Sequence, residues 1–141
     1  MEAKASYFRR PWLAHYPSGV PDTLAVPASA VCDLFEESAR KYPQQVAVNF
    51  YGNRIRYAEL QDQARRLATS LARPGVGKGD RVALYLLNTA QFVISYLAAL
   101  RLGAIVNPVS PVYTSLEVRH QLADNGARTV ICQDIFYDKW P

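Results

Sequence analysis

The sequence predicts an α/β fold: a βαβαβ parallel sheet with flanking helices, preceded by a β-hairpin. Two observations carry that prediction. Strand-like apolar runs begin near residues 81, 104 and 128, a recurrence of 23 or 24 residues with helix-like spacing between them. Strands joined by helices in this way lie parallel and are connected by right-handed crossovers. The first run, Arg81-Val82-Ala83-Leu84-Tyr85-Leu86, is apolar after its arginine instead of alternating, the pattern of a strand buried on both faces.

Residues 1–28 form an N-terminal arm. Pro11, Pro17, Pro21 and Pro27 break helices and central strands. Tyr7, Phe8, Trp12 and Tyr16 make the arm too aromatic for a disordered tail, so it is expected to lie ordered across a surface, burying Trp12 and Leu13. Ser29 is the expected N-cap of a helix over 30–42, whose apolar residues Val31, Leu34, Phe35 and Ala39 share one face. Asp33, Glu36 and Glu37 in its early turns and Arg40-Lys41 in its last complement the helix dipole, and Pro43 stops it.

A hairpin follows. Val46, Val48 and Phe50 alternate, Gly52-Asn53 turns the chain, and Arg54-Ile55-Arg56-Tyr57 alternates again. A helix over 58–72 places Leu60, Ala64, Leu67, Ala68 and Leu71 on one face. After the strand at 81–86, residues 91–102 are apolar nearly all round and read as a buried helix. Ala104-Ile105-Val106-Asn107 is the second strand. A helix from Ser115 to about Asp124 is capped by Thr114 or Ser115 and stopped by Asn125-Gly126, and Arg128-Thr129-Val130-Ile131-Cys132 is the third strand. That third strand is expected to lack a neighbour, leaving an exposed edge and an apolar patch that promote self-association.

Composition narrows the function classes. The chain has 141 residues, half of them hydrophobic, enough for a core without disulfides or metal. The net charge of +4 is spread over the length, with no basic stripe, so nucleic-acid binding is not expected. The longest charge-free apolar run, Phe92 to Leu100 with Ser95 inside it, is too short for a transmembrane helix, and no secretory signal is visible. Cys32 and Cys132 read as free thiols in a reducing cytoplasm. His15 and His120 have no second ligand at metal spacing.

Few motifs carry chemistry. Gly75-Val76-Gly77-Lys78-Gly79-Asp80 suggests a phosphate cradle, but a Walker loop needs a glycine where Ala72 stands and Ser or Thr where Gly79 stands. The run also leads from helix into strand, so the nearby helix end is a C-terminus, which repels anions. It reads as a glycine-capped helix exit and a tight turn. The adjacent Glu36 and Glu37 point in different directions, and Asp134 and Asp138 sit in the terminal loop. The loop Asn107-Pro108-Val109-Ser110-Pro111-Val112-Tyr113-Thr114 leaves the carboxyl end of the second strand, where open parallel sheets bind ligands, and its plain reading is a stiff connection ending in a helix cap. Leu87-Asn88-Thr89 leaves the same edge.

Several of these stretches resemble the AMP-forming adenylating enzymes, the superfamily of acyl-CoA synthetases, luciferases and peptide-synthetase adenylation domains. Arg54-Ile55-Arg56-Tyr57-Ala58-Glu59-Leu60 resembles their first core motif, with Arg56 in place of the usual Thr or Ser. Gly77-Lys78-Gly79-Asp80-Arg81-Val82-Ala83 resembles their G-D-x-V-A strand start, and Leu86-Leu87-Asn88-Thr89 their L-x-N-S/T segment. Leu97 through Pro108, continued by Pro111-Val112-Tyr113-Thr114-Ser115-Leu116-Glu117-Val118, resembles the second core motif. In the arm, Arg10-Pro11-Trp12-Leu13-Ala14-His15-Tyr16-Pro17 and Gly19-Val20-Pro21 resemble the N-terminal segment of bacterial long-chain fatty-acid CoA ligases.

The resemblance implies a parent enzyme that couples ATP, a fatty acid and CoA to give acyl-CoA, AMP and pyrophosphate, with Mg²⁺. It implies that residues 29–141 are an incomplete N-terminal AMP-binding-enzyme subdomain, a truncated part of the large N-terminal domain. No catalytic, cofactor-binding or metal-binding residue of the family has a counterpart in this sequence, so the chain alone is expected to be inactive, with the remainder of the ligase as its partner. The expected location is the cytoplasm, peripheral to a membrane at most. The rival readings are a non-enzymatic α/β interaction or oligomerisation module and a fragment of an aryl- or amino-acid-adenylating relative.

Overall fold

The computed structural model describes residues 9–139 of the chain, so the expectations for Tyr7 and Phe8 and for the side chain of Asp138 fall outside the described residues. After a 3-10 turn at Pro11–His15, the chain runs through α1 (Val31–Lys41), β1 (Val46–Phe50), β2 (Asn53–Arg56), α2 (Tyr57–Ala72), β3 (Arg81–Tyr85), α3 (Ala90–Arg101), β4 (Ile105–Pro108), α4 (Ser115–Asn125) and β5 (Thr129–Cys132), and ends in a 3-10 turn, Asp134–Lys139.

β3 is the centre of a parallel three-stranded sheet of order β4-β3-β5, and β1 and β2 form a separate antiparallel hairpin. β3 is central because its side chains are apolar on both faces. Val82 and Leu84 point to one side, into a cluster with Ala68, Leu71, Leu86, Ala98 and Ala99 from α2, α3 and the sheet. Ala83 and Tyr85 point to the other, against Val109, Val118 and Phe136. Alternation along one strand thus divides the fold into a layer holding α2 and α3 and a layer holding α4. A third cluster, built on Ile55, Leu60, Ala64, Ala90 and Leu97, docks the hairpin onto α2 and α3.

The glycine run is a glycine-capped helix exit, as the sequence predicts. Gly75 has φ +99°, its N–H donates to Ala72 O at 3.0 Å, and the Val76 N–H donates to Leu71 O at 3.2 Å. This pair of bonds is a Schellman closure, and the buried side chains of Val76 and Leu71 share the cluster beneath it. α3 ends in the same way: Gly103 donates to Leu100 O at 2.9 Å and Ala104 to Ala99 O at 3.1 Å. Gly79 N–H then donates to Gly103 O at 3.0 Å, tying the two exits together at the amino edge of the sheet.

The structure corrects several expectations. The arm does not bury Trp12 or Leu13: the Pro11–His15 turn holds no buried residue, and Trp12 is 36% exposed. Pro11 opens that turn instead of preventing it, because the first helical position has no use for an N–H. α1 begins at Val31 behind Ala30, not behind Ser29. The Asp33 carboxylate accepts from Ala30 N–H at 3.0 Å, which fixes the helix start without a capping side chain at Ala30. The inward face of α1 is Cys32, Phe35, Glu36 and Ala39, while Val31 and Leu34 are half exposed or more. The hairpin turn is Tyr51-Gly52, with φ +48° and +84°, and Asn53 belongs to β2 opposite Phe50. Positive φ at both central residues is the type I′ geometry that suits the twist of two-residue hairpins. The second strand extends to Pro108, which pairs with Leu84 on an outer strand, where a proline is tolerated.

Candidate functional site

The strand order places one site by topology. The chain leaves β3 toward β4 on one side and returns to β5 on the other, so β3 and β5 flank the point where the winding reverses. In open parallel sheets the crevice beyond the carboxyl ends of such strands binds ligands. A cleft of about 390 Å³ lies at that place, between the start of α3 and the end of β5. Its walls are Leu86 and Ile131, and its polar groups come from Thr89, Gln91, Ser95, Cys132, Gln133 and Asp134.

Local structure holds these groups. Thr89 N–H donates to Leu87 O at 2.7 Å, a three-residue turn that swings the chain from β3 into α3. Gln133 N–H donates to Tyr85 O at 3.1 Å and continues the β3–β5 ladder, while its side-chain oxygen accepts from Leu87 N–H at 3.4 Å. Ser95 is 3% exposed and borders the cleft. Sequence reasoning noticed Ser95 only as the interruption of an apolar run. That interruption is a weak signal, because a hydroxyl inside a helix can also bond the carbonyl one turn back, as Ser38 and Ser70 do here.

Below the cleft, Tyr85 is fully buried and lies against Phe136, with ring centroids 4.8 Å apart at 34°. Its hydroxyl donates to Tyr113 O at 3.3 Å, tying β3 to the β4–α4 loop. Burial, and after it the neighbouring Cys132, push the Tyr85 phenol above the usual tyrosine range. Burial and Asp134 likewise push the Cys132 thiol up. A thiol held protonated is a poor nucleophile, so Cys132 acts in the cleft as a half-buried wall.

The Asn107–Thr114 loop is built as a stiff connection and a cap. Val109 is buried and its N–H donates to Leu84 O at 2.9 Å. Thr114 caps α4: its hydroxyl accepts from Glu117 N–H at 3.4 Å, and the Glu117 carboxylate accepts from Thr114 N–H at 2.8 Å. The second bond, joined by one from the Thr114 hydroxyl, holds the Glu117 carboxyl below the usual range. The remaining sequence candidates do not converge on the cleft. Glu36 is committed to Arg65, Arg101 and Gln61, and His120 lies on the outer face of α4; only Asp134 reaches the cleft rim, where its carboxylate accepts from Ile135 N–H at 2.9 Å. Among the described residues no group of three or more His, Cys, Asp or Glu is placed to hold a metal ion. Among the described residues no helix is long and apolar enough to cross a membrane.

Neither the glycine run nor the cleft fits a triphosphate and its Mg²⁺. The glycine run faces the C-terminal end of α2, and the N–H groups of Gly75, Val76, Gly77, Gly79 and Asp80 are all engaged within the chain. The cleft lining contains no basic side chain, and its one charge is Asp134.

The sequence model of the family described as AMP-binding enzyme matches residues 35–140. The chain belongs to that family. Among AMP-binding enzymes it is 37% identical over 131 residues to a long-chain-fatty-acid–CoA ligase of Bacillus subtilis, covering 93% of this chain and 23% of the ligase. It is 41% identical over 88 residues to 4-coumarate–CoA ligase 3 of Oryza sativa, covering 62% of this chain and 16% of that protein. The fold matches the solved N-terminal subdomain of NpsA from Klebsiella oxytoca in complex with anthranilyl-AMSN, with a TM-score of 0.74 and 32% identity over 79% of this chain and 29% of that one. The sheet and hairpin described above are thus the architecture of an adenylating-enzyme N-terminal subdomain. The chain spans under a quarter of the length of either curated relative.

Proposed function

We propose that this chain is the N-terminal segment of a long-chain fatty-acid–CoA ligase, and that its part in the parent enzyme is scaffolding. One observation carries the choice of substrate class. The likeness to the fatty-acid ligase spans 93% of the chain, whereas the family pattern itself begins at residue 35, so the ligase likeness takes in most of the proline- and aromatic-rich arm. The likeness to the aryl-acid ligase covers only 62%. The Tyr85–Phe136 stack and the Schellman closures give the sheet a rigid base, which is what a loop-borne site elsewhere in the parent would need.

The parent reaction joins the acid carboxylate to the AMP portion of ATP with loss of pyrophosphate, and the CoA thiol then displaces AMP. This chain supplies no group to either step. The test is the activity of the whole reading frame that contains it. Thioester formation from palmitate should exceed that from anthranilate or 4-coumarate. A preference for either aryl acid overturns the substrate class. The 141-residue chain by itself should show no acid-dependent ATP–pyrophosphate exchange, and exchange above a heat-treated control overturns the scaffolding role.

A further inference from the structure

Tyr85 touches the exits of all three strands of the parallel sheet. It is the last residue of β3 and is fully buried. Its carbonyl accepts from Gln133 N–H at 3.1 Å, just beyond β5, and its ring lies against Phe136 in the segment that follows. Its hydroxyl donates to Tyr113 O at 3.3 Å, 28 residues along the chain, at the far end of the β4–α4 loop. The near end of that loop is tied to the same strand, through the bond from Val109 N–H to Leu84 O at 2.9 Å. Two consecutive residues of β3 thus hold the loop at both ends, and one of them also holds the exit of β5. All of these contacts lie inside the chain.

The hydroxyl is the informative atom. A phenylalanine would fill the same space and keep the stack on Phe136. A buried hydroxyl exchanges water for one protein bond, so its net effect on stability is small. What the bond supplies is position, because its acceptor is a loop carbonyl. Pro108 and Pro111 already stiffen that loop, and the Thr114–Glu117 cap closes it. A loop clamped so fully presents its outer residues at one place. It leaves the carboxyl edge of the sheet, where open parallel sheets bind ligands. We propose that Tyr85 is a positioning residue of the parent ligase, acting through Tyr113 and Phe136: it sets the β4–α4 loop and the exit of β5 at the spacing required by the substrate that crosses this edge. The proposal rests on the ligase reading. The cleft at this edge has no basic side chain and does not suit a triphosphate, so the substrate concerned is the acyl chain or the thiol arm of CoA, and ATP is the internal control.

The test uses the whole reading frame and measures kcat and the KM for acid, ATP and CoA, with whichever acid the wild-type enzyme turns over best. Tyr85→Phe should raise the KM for the acid or for CoA roughly fivefold, as loss of one hydrogen bond does, and leave kcat and the KM for ATP within about twofold. The rate constant is spared because this chain supplies no group to either chemical step. Phe136→Leu keeps the hydroxyl bond and loosens the ring contact, so it should raise the same KM by a smaller factor. Val82→Ala separates positioning from stability. Val82 is equally buried on the opposite face of β3, so its truncation lowers the melting temperature without touching the loop and should leave all three KM values unchanged. The proposal is overturned by a Tyr85→Phe enzyme whose KM values all stay within about twofold of wild type, whose KM shift falls on ATP, or whose kcat alone declines. It is equally overturned by a Val82→Ala enzyme that shows the same rise in KM. A wild-type enzyme that turns over no acid overturns the ligase reading itself, a different result from an active enzyme indifferent to Tyr85→Phe.

Discussion

Glu36 and Arg65, 29 residues apart in the chain, meet in a 3.1 Å hydrogen-bonded ion pair. The same carboxylate accepts from Gln61 at 2.6 Å and binds Arg101, so one side chain of α1 holds α2 and α3. The carboxylate is only about a quarter exposed, while Arg65 is half open to water and Arg101 about a third. Solvent screening keeps each pair weak, but removing the shared acceptor breaks all three bonds at once. Glu36→Ala should therefore destabilise the chain by roughly 1–2 kcal/mol, and Arg65→Ala by roughly 0.5 kcal/mol. Urea unfolding of both variants checks this, and equal losses would remove Glu36 from the centre of the network.

The turn glycines differ in what surrounds them. Gly103 has φ +72°, and a β-carbon there would meet Lys78 Cγ at 3.2 Å and Lys78 Cα at 3.4 Å. Gly79 has φ +85° with nothing within 4 Å of that position. Both alanine substitutions carry backbone strain of about 1–2 kcal/mol, and Gly103→Ala adds crowding against the Lys78 backbone. Thermal unfolding should place Gly103→Ala clearly below Gly79→Ala.

These two cases show what sequence can and cannot tell. The glycine exits are legible because a helix that stops needs a residue tolerant of positive φ, and the rule is local. The role of Glu36 is not, because Arg65 and Arg101 reach it only through the crossing of three helices. The face of α1 is half legible for the same reason: of the four residues that hydrophobic spacing selects, Phe35 and Ala39 turn inward, but the network brings Glu36 and Cys32 in beside them and leaves Val31 and Leu34 half exposed or more. The carboxyl-edge site followed from strand order alone. Ser95, its buried hydroxyl, is hidden inside an apolar run that reads as core.

The hairpin turn offers a gain in stability. Tyr51 holds φ +48° while 95% exposed, a backbone state that Asn tolerates better than a bulky side chain. Its ring sits edge-on to Phe50 at 4.7 Å, a contact that water weakens at such exposure. Tyr51→Asn makes an Asn-Gly type I′ turn and should stabilise the chain by roughly 0.5 kcal/mol. A lower melting temperature would show that the ring pair outweighs the strain.

The cap of α4 contributes to the acid limb of stability. The Glu117 carboxyl is held low by its bonds to Thr114, so the unfolded chain takes up this proton at higher pH than the folded one. The contribution is complete above the unfolded value and fades as pH falls through the folded one. Thr114→Ala removes the hydroxyl of the cap and should cost about 1 kcal/mol at neutral pH. It should also lessen, without abolishing, the acid dependence, because the larger cause, the bond from the Thr114 N–H, survives; an unchanged acid slope would show that the hydroxyl adds nothing to it.

The alkaline limb has the opposite origin. Tyr85, Cys132 and Cys32 are all pushed up, chiefly by burial, so the folded chain keeps protons that the unfolded chain has lost. Stability is complete below the unfolded values, roughly 8.5 for a thiol and 10 for a tyrosine, and declines as pH rises through the window up to the folded ones. Cys132→Ser and Cys32→Ser should remove the earlier part of that decline and Tyr85→Phe the later part. Tyr85→Phe should also cost roughly 0.5–1.5 kcal/mol at neutral pH, through loss of the bond to Tyr113 O. Urea midpoints across the alkaline range resolve the two parts. A decline that survives all three substitutions would place its source in other groups and leave Tyr85 with only its bond to the β4–α4 loop and its stack on Phe136.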